Sequence, residues 1–336
     1  MTSTPNGNVA AEVTDQSASS ELQSALDNYN QLSPRQIAWR RLKKNKVALA
    51  SGIVALFFLI LAYGAPLFAG IFHVDPNSRF PDAIDGTGLV KGSFNGMGLH
   101  HPFGFEPGTG RDLFALLVYG SRISFTIAII TSVAFAAVGS IFAVIAALYG
   151  GKIDNFFGRL ADFLLAFPFT FFVIALSVPL TKSIESTGIA QNNGARMIML
   201  VLLLVIFSWS GFFRVVRSQV LTLREKEFVM AAHALGAGNR RIIFKEILPN
   251  LYPLIIIYLS ISLPGYLTAE ATFSFLGIGI QAPASTWGLT LDDAVNYWQR
   301  DPVYLLIPTL MLIIVVLALN LFGDGLRDAL DTKSDR

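Results

Sequence analysis

Long apolar blocks separated by short polar stretches dominate this chain. Six of them approach or exceed the roughly 20 residues that a helix needs to cross a bilayer, and charged residues are almost absent inside them. Strands of a membrane barrel would be about 10 residues long and would alternate apolar and polar positions. The pattern therefore predicts six transmembrane helices, at 47–72, 123–149, 163–181, 197–213 with an extension past Arg214, 251–276 and 302–323.

Composition supports the same class of protein. The 336 residues are 53% hydrophobic and 14% charged, with a mean hydropathy of +0.56, whereas soluble domains are about 25% charged. The sequence predicts an all-α, polytopic protein embedded in a lipid bilayer. The net charge of +2 gives no reason to expect nucleic-acid binding. The absence of cysteine excludes disulfides, thiolate catalysis and cysteine metal sites.

The start of the chain differs from the rest. Residues 1–34 are rich in polar side chains and contain no early apolar stretch of the kind that a secretory signal requires. This composition is typical of a disordered tail. A basic segment then leads into the first helix, so 35–72 is expected to form a second unit.

Cations predict the orientation in the membrane. With the N-terminus in the cytoplasm, 18 of the 25 Lys and Arg residues fall on the cytoplasmic side, in agreement with the excess of positive charge found there in membrane proteins. We therefore expect both termini, including a tail at 324–336, to be cytoplasmic. The expected transmembrane core spans 123–323, and the loop 73–122 is expected to lie outside the cell. The seven outer cations are Arg79, Lys91, Arg111, Arg122, Lys182, Arg196 and Arg300.

Prolines within or beside the predicted helices mark irregular backbone. Pro168, Pro179, Pro264 and Pro308 are each expected to kink or break a helix, since proline removes a backbone donor. Pro264, followed by glycine, is the strongest candidate for a kink in mid-membrane. The long loop 73–122 is rich in Gly, Pro, Asn and Asp, and we expect mostly turns there.

Motifs for chemistry are missing. The sequence contains no G-x-x-x-x-G-K-[ST] phosphate loop, no G-x-S-x-G elbow and no H-E-x-x-H zinc motif. The adjacent pair His100-His101 has poor geometry for a metal on one helix or strand. No catalytic, cofactor or metal site is predicted, and the chain is not expected to be an enzyme.

Glu270 is the one clear charge inside a predicted helix. An intramembrane carboxylate is a functional candidate by default. Its position near the outer end of the fifth helix leaves two alternatives open. It lines a substrate pathway or outer gate, or it pairs with a cation of an outer loop.

A polar loop at 218–249 separates the fourth and fifth helices. Its sequence predicts that a helix continues from Arg224 to Phe228. A compact helix at 229–235 would then end at Gly236, and Asn239 would cap a further helix before Leu248-Pro249. Small alanines with flanking cations favour docking to a polar or acidic partner. An ordinary solvated loop is the alternative.

Several motifs resemble one family over nearly the whole chain. Ala231-Ala232, Gly236 and Leu248-Pro249 resemble the "EAA" loop of ATP-binding-cassette importer permeases. Three further motifs resemble those of the C-type subunit of dipeptide, oligopeptide and nickel importers, and they occur in the same order along the chain. They are Gly110-Arg111-Asp112 in the outer loop, the motif around Arg122, and the tail 320–328. One departure is Met230, which stands where that loop usually has glutamate.

The resemblance implies the type I ABC importer permease fold and a specific role. The chain would form half of the translocation pathway of an ATP-driven peptide importer. A related permease subunit would supply the other half as a heterodimer, two ABC ATPase subunits would supply energy, and an extracytoplasmic binding protein would deliver the peptide. Nickel or another solute, or a secondary transporter, remain the alternatives. The residues implied in ATPase coupling are Glu227, Ala231, Ala232, Gly236, Leu248 and Pro249.

Overall fold

A computed structural model describes residues 34–92 and 94–331 of the chain. Most of the predicted N-terminal tail and the last five residues of the predicted C-terminal tail therefore lie outside the described residues. The described part is helical, with isolated bridges but no strand. Its helices are α1 (Pro34–Lys44), α2 (Lys46–Tyr63), α3 (Ala65–Phe72), α4 (Leu113–Tyr149), α5 (Gly151–Ala166), α6 (Phe169–Ser186), α7 (Asn192–Arg224), α8 (Glu227–Ala234), α9 (Asn239–Phe275), α10 (Trp287–Val295) and α11 (Pro302–Leu330).

Six of these helices are long and apolar enough to cross a bilayer: α2, α4, α6, α7, α9 and α11. The prediction of an all-α protein with six membrane helices is confirmed. Because six spans alternate in direction, the start of α1 and the end of α11 lie at the same end of the bundle. We call this end the terminal face and the other end the opposite face. The terminal face also carries α5 and α8.

The first predicted helix is in fact two helices. The sequence pattern predicted one helix over 47–72, but α2 ends at Tyr63 and α3 begins at Ala65. Gly64 lies between them with its N–H bonded to the Ile60 carbonyl at 2.7 Å. Pro66 then occupies the first turn of α3, where a missing N–H donor is tolerated.

The second membrane helix begins earlier than predicted. Its first residue is Leu113 rather than residue 123, so the irregular loop predicted over 73–122 ends at Asp112. Asp112 caps the helix by accepting a hydrogen bond from the Ala115 N–H at 2.7 Å. Arg122, predicted in the loop, belongs to the helix. The described residues of the loop itself form turns and two single-turn 3₁₀ helices, as expected.

Pro168 divides the helix that was predicted over 163–181. Residues up to Ala166 belong to α5, and α6 begins at Phe169 with Pro168 as its N-terminal flanking residue. The break follows because proline has no N–H and forces the preceding residue away from helical geometry. The helices continue through the other prolines, Pro179, Pro264 and Pro308.

Three boundaries on the terminal face also differ from the prediction. The fourth membrane helix ends at Arg224, so the helix expected to continue to Phe228 stops at that point. Helix α9 runs from Asn239 through Pro249, by way of a π turn over Ile242–Ile247, the wider form that absorbs a local irregularity. Gly238, not Asn239, flanks its start, and no side chain caps it.

The last helix extends through the predicted boundary at residue 324 to Leu330. The helix continues through Gly323 and Gly325, although glycine weakens helices. Gly325 lies directly against Ala48 of α2 and Gly323 against the Ser260 backbone of α9. The two glycines therefore allow α11 to approach its neighbours closely.

Helices α4 and α7 form the largest helix pair in the core. The ring centres of Phe135 on α4 and Phe212 on α7 lie 5.3 Å apart. One turn further along α4, the small residue Gly139 faces the same aromatic side chain of α7. At Gly139 a Cβ atom would stand 2.9 Å from the Phe212 ring and 3.3 Å from the Trp209 carbonyl oxygen. Small residues at such contacts let membrane helices approach closely.

We expect Gly139→Val to destabilise the fold by about 1–3 kcal/mol, because an added side chain overpacks a closed contact. Gly211→Val is the matched control. Gly211 lies on α7 with no atom within 4 Å of the added Cβ. Thermal unfolding of both variants in the same detergent measures the effect. Equal melting temperatures would show that the contact at Gly139 is not tight.

Candidate functional site

Helix α8 on the terminal face is the compact helix that the loop sequence predicted. It runs over Glu227–Ala234 and ends in a Schellman motif. The Gly236 N–H donates to the His233 carbonyl at 2.9 Å, and the Ala237 N–H donates to the Ala232 carbonyl at 3.0 Å. Gly236 has a φ of 82°, the left-handed conformation that glycine adopts at this position. The predicted end of the compact helix at Gly236 is confirmed.

The side chains of α8 and its end have different surroundings. Val229 is fully buried, and Ala232 packs against the same hydrophobic core. Phe228, Met230 and Leu235 are exposed, and Leu235 has 89% of its surface open. Exposed large apolar side chains often mark interaction sites. Val229 and Ala232 therefore attach α8 to this chain, while three large apolar side chains around the helix and its end remain exposed.

Cations lie beside α8 at the start of α9. Arg240, Arg241 and Lys245, with the exposed Phe244, line an open hollow of about 660 Å³. Ile242 and Ile247 on the other side of the same segment are fully buried. The hollow thus combines apolar and basic side chains on a rigidly packed segment.

Ion pairs between α5 and α7 fix the membrane helix that leads into α8. Arg217 donates two hydrogen bonds to the Asp154 carboxylate, and these bonds hold the pKa of Asp154 below its ordinary value. Arg224, the last residue of α7, donates to the Ala147 carbonyl of α4 at 3.0 Å. The end of α7 is therefore tied to its neighbours immediately before α8 begins.

On the opposite face, Arg111 and Glu106 form a buried bidentate pair. The Nε and Nη2 atoms of Arg111 lie 2.6 and 2.8 Å from the two carboxylate oxygens of Glu106. The hydrogen bonds to Glu106 raise the pKa of Arg111. The Tyr304 hydroxyl of α11 donates to Glu106 at 3.3 Å. Gly110 precedes the pair with a φ of 67°. The pair joins the loop to α11.

Asp112 has a structural environment. One carboxylate oxygen caps α4, and the other lies 2.6 Å from Nδ1 of His101. The His101 ring packs against Phe80 and Phe105. Residues 34–92 and 94–331 contain no cluster of three or more His, Asp or Glu side chains arranged for a metal ion.

Arg122 and Glu270, the other two residues that the sequence singled out, have different environments. Arg122 is exposed and lines a pocket of about 410 Å³ with Tyr119 and Pro283. Glu270 is fully buried and accepts a hydrogen bond from the Ser274 hydroxyl at 2.7 Å. Within the described part of the chain neither residue has an ion pair. The pairing of Glu270 with an outer-loop cation is therefore not formed.

Comparison with known proteins identifies the family. Residues 138–336 match the family model described as "Binding-protein-dependent transport system inner membrane component", and residues 33–85 match "N-terminal TM domain of oligopeptide transport permease C". This chain belongs to the family of binding-protein-dependent transport system inner membrane components. The six-helix bundle is accordingly an ABC permease fold.

Named relatives cover most of this permease. The chain is 35% identical over 307 residues to the dipeptide transport system permease protein DppC of Alkalihalophilus pseudofirmus, across 91% of this chain and 92% of the relative. It is 35% identical to the oligopeptide transport system permease protein OppC of Haemophilus influenzae, across 89% and 88%. It is 31% identical to the glutathione transport system permease protein GsiD of Pectobacterium atrosepticum, across 90% and 92%.

The permease structure separates the residues that the sequence had grouped. Glu227, Ala231 and Gly236 lie together on α8 and its end, whereas Pro249 lies in the second half of the connection, inside α9. Leu248 beside it is half-buried. The sequence interpretation missed the exposed side chains Phe228 and Leu235, and on the opposite face it missed Glu106 as the partner of Arg111. Met230, which it named as a departure from the family pattern, is exposed as well. A large apolar residue directly before a helix-ending glycine was the available signal for Leu235.

We expect Asp154→Asn to lower the stability of the permease by about 1–3 kcal/mol, since it weakens hydrogen bonds to a charged group. Because the folded-state pKa of Asp154 lies below its ordinary value of 3.8, the stabilisation is complete above pH 3.8 and is lost as the pH falls through the lower folded-state value.

The matched control is Asp162→Asn, which removes the exposed pair with Arg214, worth about 0–1 kcal/mol. Thermal unfolding of both variants between pH 3 and pH 7 gives the comparison. A deficit of Asp154→Asn that stays constant down to pH 3, or equal effects of the two variants at pH 7, would contradict this assignment.

Proposed function

We propose that this chain is the transmembrane permease subunit of an ATP-driven peptide importer. It forms one half of the translocation pathway, and a related permease subunit forms the other. The observation that supports this most directly is α8, a short helix that is held to the membrane helices through Val229 and Ala232 and carries exposed large apolar side chains.

The exposed part of α8 is suited to insert into a groove of an ATPase subunit. Burial of a side chain such as Leu235 or Phe228 contributes about 1.5–3 kcal/mol, and a few such anchors supply most of the binding energy of an interface. The cations Arg240, Arg241 and Lys245 beside α8 suit an acidic or polar rim on the partner. One such contact for each permease fits an assembly with two ATPase subunits.

Motion of an ATPase subunit would reach the membrane through the two ends of α8. Lys226 joins α8 to α7, and the buried Ala237 and Ile242 lead into α9. Because Val229 of α8 and the joint to α9 are buried in the core, a displacement of α8 would move the adjoining membrane helices with it. Rigid-body rocking of the two permease halves would then expose the pathway to either side in turn.

Orientation follows from the cation distribution. The terminal face carries most of the Lys and Arg residues, which favours its placement in the cytoplasm. The opposite face, with the Glu106–Arg111 pair and Arg122, would then receive substrate from an extracytoplasmic binding protein. The sequence has no phosphate loop, so ATP hydrolysis belongs to the partner subunits.

Peptides are proposed as the substrate because the relatives described above are named for dipeptide, oligopeptide and glutathione transport. Glu270 is proposed as a positioning group near the outer gate, since it lies buried beside the turn that leads to α10. Nothing in the described residues favours nickel or a secondary transporter.

Topology can be tested directly because the chain has no cysteine. We expect a membrane-impermeant thiol reagent, added outside intact cells, to label Leu99→Cys and not Asn239→Cys. Leu99 is 93% exposed on the opposite face, and Asn239 is exposed on the terminal face. Permeabilised cells provide the control, where both should react. Labelling of Asn239→Cys alone in intact cells would reverse the proposed orientation.

Coupling can be tested at Leu235. We expect Leu235→Ser to leave membrane levels unchanged, to weaken co-purification of the ATPase subunits by about tenfold or more, and to abolish peptide uptake. The reason is that the substitution removes an apolar side chain that would be buried in the groove of the ATPase subunit. Ile189→Ser is the matched control, since Ile189 is also highly exposed but lies on the opposite face. Its ATPase co-purification should match that of the wild type.

Gly236→Val gives a second variant. Its Cβ would meet no atom within 4 Å, so the expected cost of about 1–2 kcal/mol comes from the left-handed backbone alone. Ala232→Trp is less informative, because Ala232 packs on this chain's own core. If both Leu235→Ser and Gly236→Val showed normal ATPase co-purification and normal uptake, α8 would not be the coupling element.

A further inference from the structure

An apolar groove runs along α2 between the terminal face and the middle of the bundle. It has a volume of about 470 Å³, and its walls come from α1, α2, α9 and α11 together with Phe125 of α4. Of the residues that line it, only Trp39 and Ser260 carry a polar side-chain atom. The Ser260 hydroxyl is already used, since it donates to the Ile257 carbonyl at 2.8 Å. The groove therefore suits a purely hydrocarbon occupant.

The length of the groove corresponds to one leaflet of a bilayer. Its lining residues on α2 extend from Leu49 to Leu59, which spans about 15 Å at 1.5 Å per residue. The hydrocarbon core of a bilayer is about 30 Å thick, so the groove reaches from the terminal face to about the midplane.

A basic, aromatic segment lies at the mouth of the groove. Trp39 and Leu42 of α1 line the groove, and the Lys43 ammonium lies 5.1 Å from the centre of the Trp39 ring. Arg40, Lys43 and Lys44 are exposed on the same helix. Tryptophan with Lys and Arg at a helix end is typical of the membrane–water interface, and clusters of such cations attract anionic lipids.

Helix α1 is held at the mouth by packing. Leu42 is buried in a small cluster with Ala48 and Ala329, and Arg41 donates to the Asp331 carbonyl at 2.7 Å. The cations of α1 consequently have a fixed position relative to the groove, which distinguishes them from charges on a free tail.

We propose that the groove and α1 form a binding site for an anionic phospholipid of the leaflet at the terminal face. One acyl chain occupies the groove, and the headgroup phosphate contacts Arg40, Lys43 and Lys44. This proposal does not depend on the transport function or on the identity of the substrate.

The charges at the mouth favour a lipid over a helix of the partner permease. Arg40, Lys43 and Lys44 are exposed beside the apolar groove. An acyl chain joined to an anionic headgroup matches both the hydrocarbon lining and these cations.

The site can be tested with the full chain in lipid nanodiscs. Phosphatidylglycerol carrying a diazirine on its acyl chain should cross-link, after illumination, to peptides of α2 and α9 that line the groove. Unlabelled phosphatidylglycerol should compete, and phosphatidylcholine should compete far less.

The double substitution Lys43→Gln/Lys44→Gln should weaken binding by about 30-fold, given the contribution of each cation near an anionic surface. The control Lys152→Gln/Arg159→Gln removes two exposed cations of the terminal face from α5 and should leave binding unchanged.

A second pair of variants tests the groove itself. Leu56→Trp places a large ring in the groove and should abolish the cross-links, whereas Leu317→Trp should retain them. The two leucines are 54% and 55% exposed, and Leu317 does not line the groove. Equal competition by phosphatidylcholine, equal labelling of all four variants, or loss of labelling when the partner permease is co-assembled would each overturn the proposal.

Discussion

Hydrogen bonding of the backbone inside a bilayer is the constraint on which this structure depends. Every N–H and C=O group in the hydrocarbon needs a partner within the protein, so each membrane span is a helix. Irregular backbone is placed at helix ends, as at Gly64, at Pro168 and in the turn around Gly236. At these interruptions the chain can expose side chains without leaving backbone groups unsatisfied.

The two faces of the bundle use different means to order their segments. On the terminal face, α8 is held by apolar burial at Val229 and by the ion pair between Asp154 and Arg217 nearby. On the opposite face, the buried pair of Glu106 with Arg111 connects the loop to α11, and the Trp287 indole donates to the Leu117 carbonyl at 3.0 Å. Both arrangements hold surface segments in fixed positions against the membrane helices, and the apolar groove beside α2 adds a further exposed surface.

Tertiary contacts explain where the sequence interpretation was wrong. The sixth helix was predicted to end near Gly323, but it continues because Gly325 allows α11 to pack against Ala48. Arg122 looked like a loop residue because Asp112 was not recognised as the cap of α4. In each case the residue type was compatible with two structures, and the neighbouring helix decided between them.

The sequence by itself determined the class of fold, the six membrane helices, the compact helix before Gly236 and the family, because hydropathy, glycine placement and ordered motifs are local properties of the chain. Tertiary structure alone decided which side chains of α8 are exposed and that Glu106 is the partner of Arg111. It also decided that Glu270 is buried, with no ion pair among the described residues. These features depend on which helices meet and at what depth, and such long-range contacts carry no signature in the spacing of residues along a single chain.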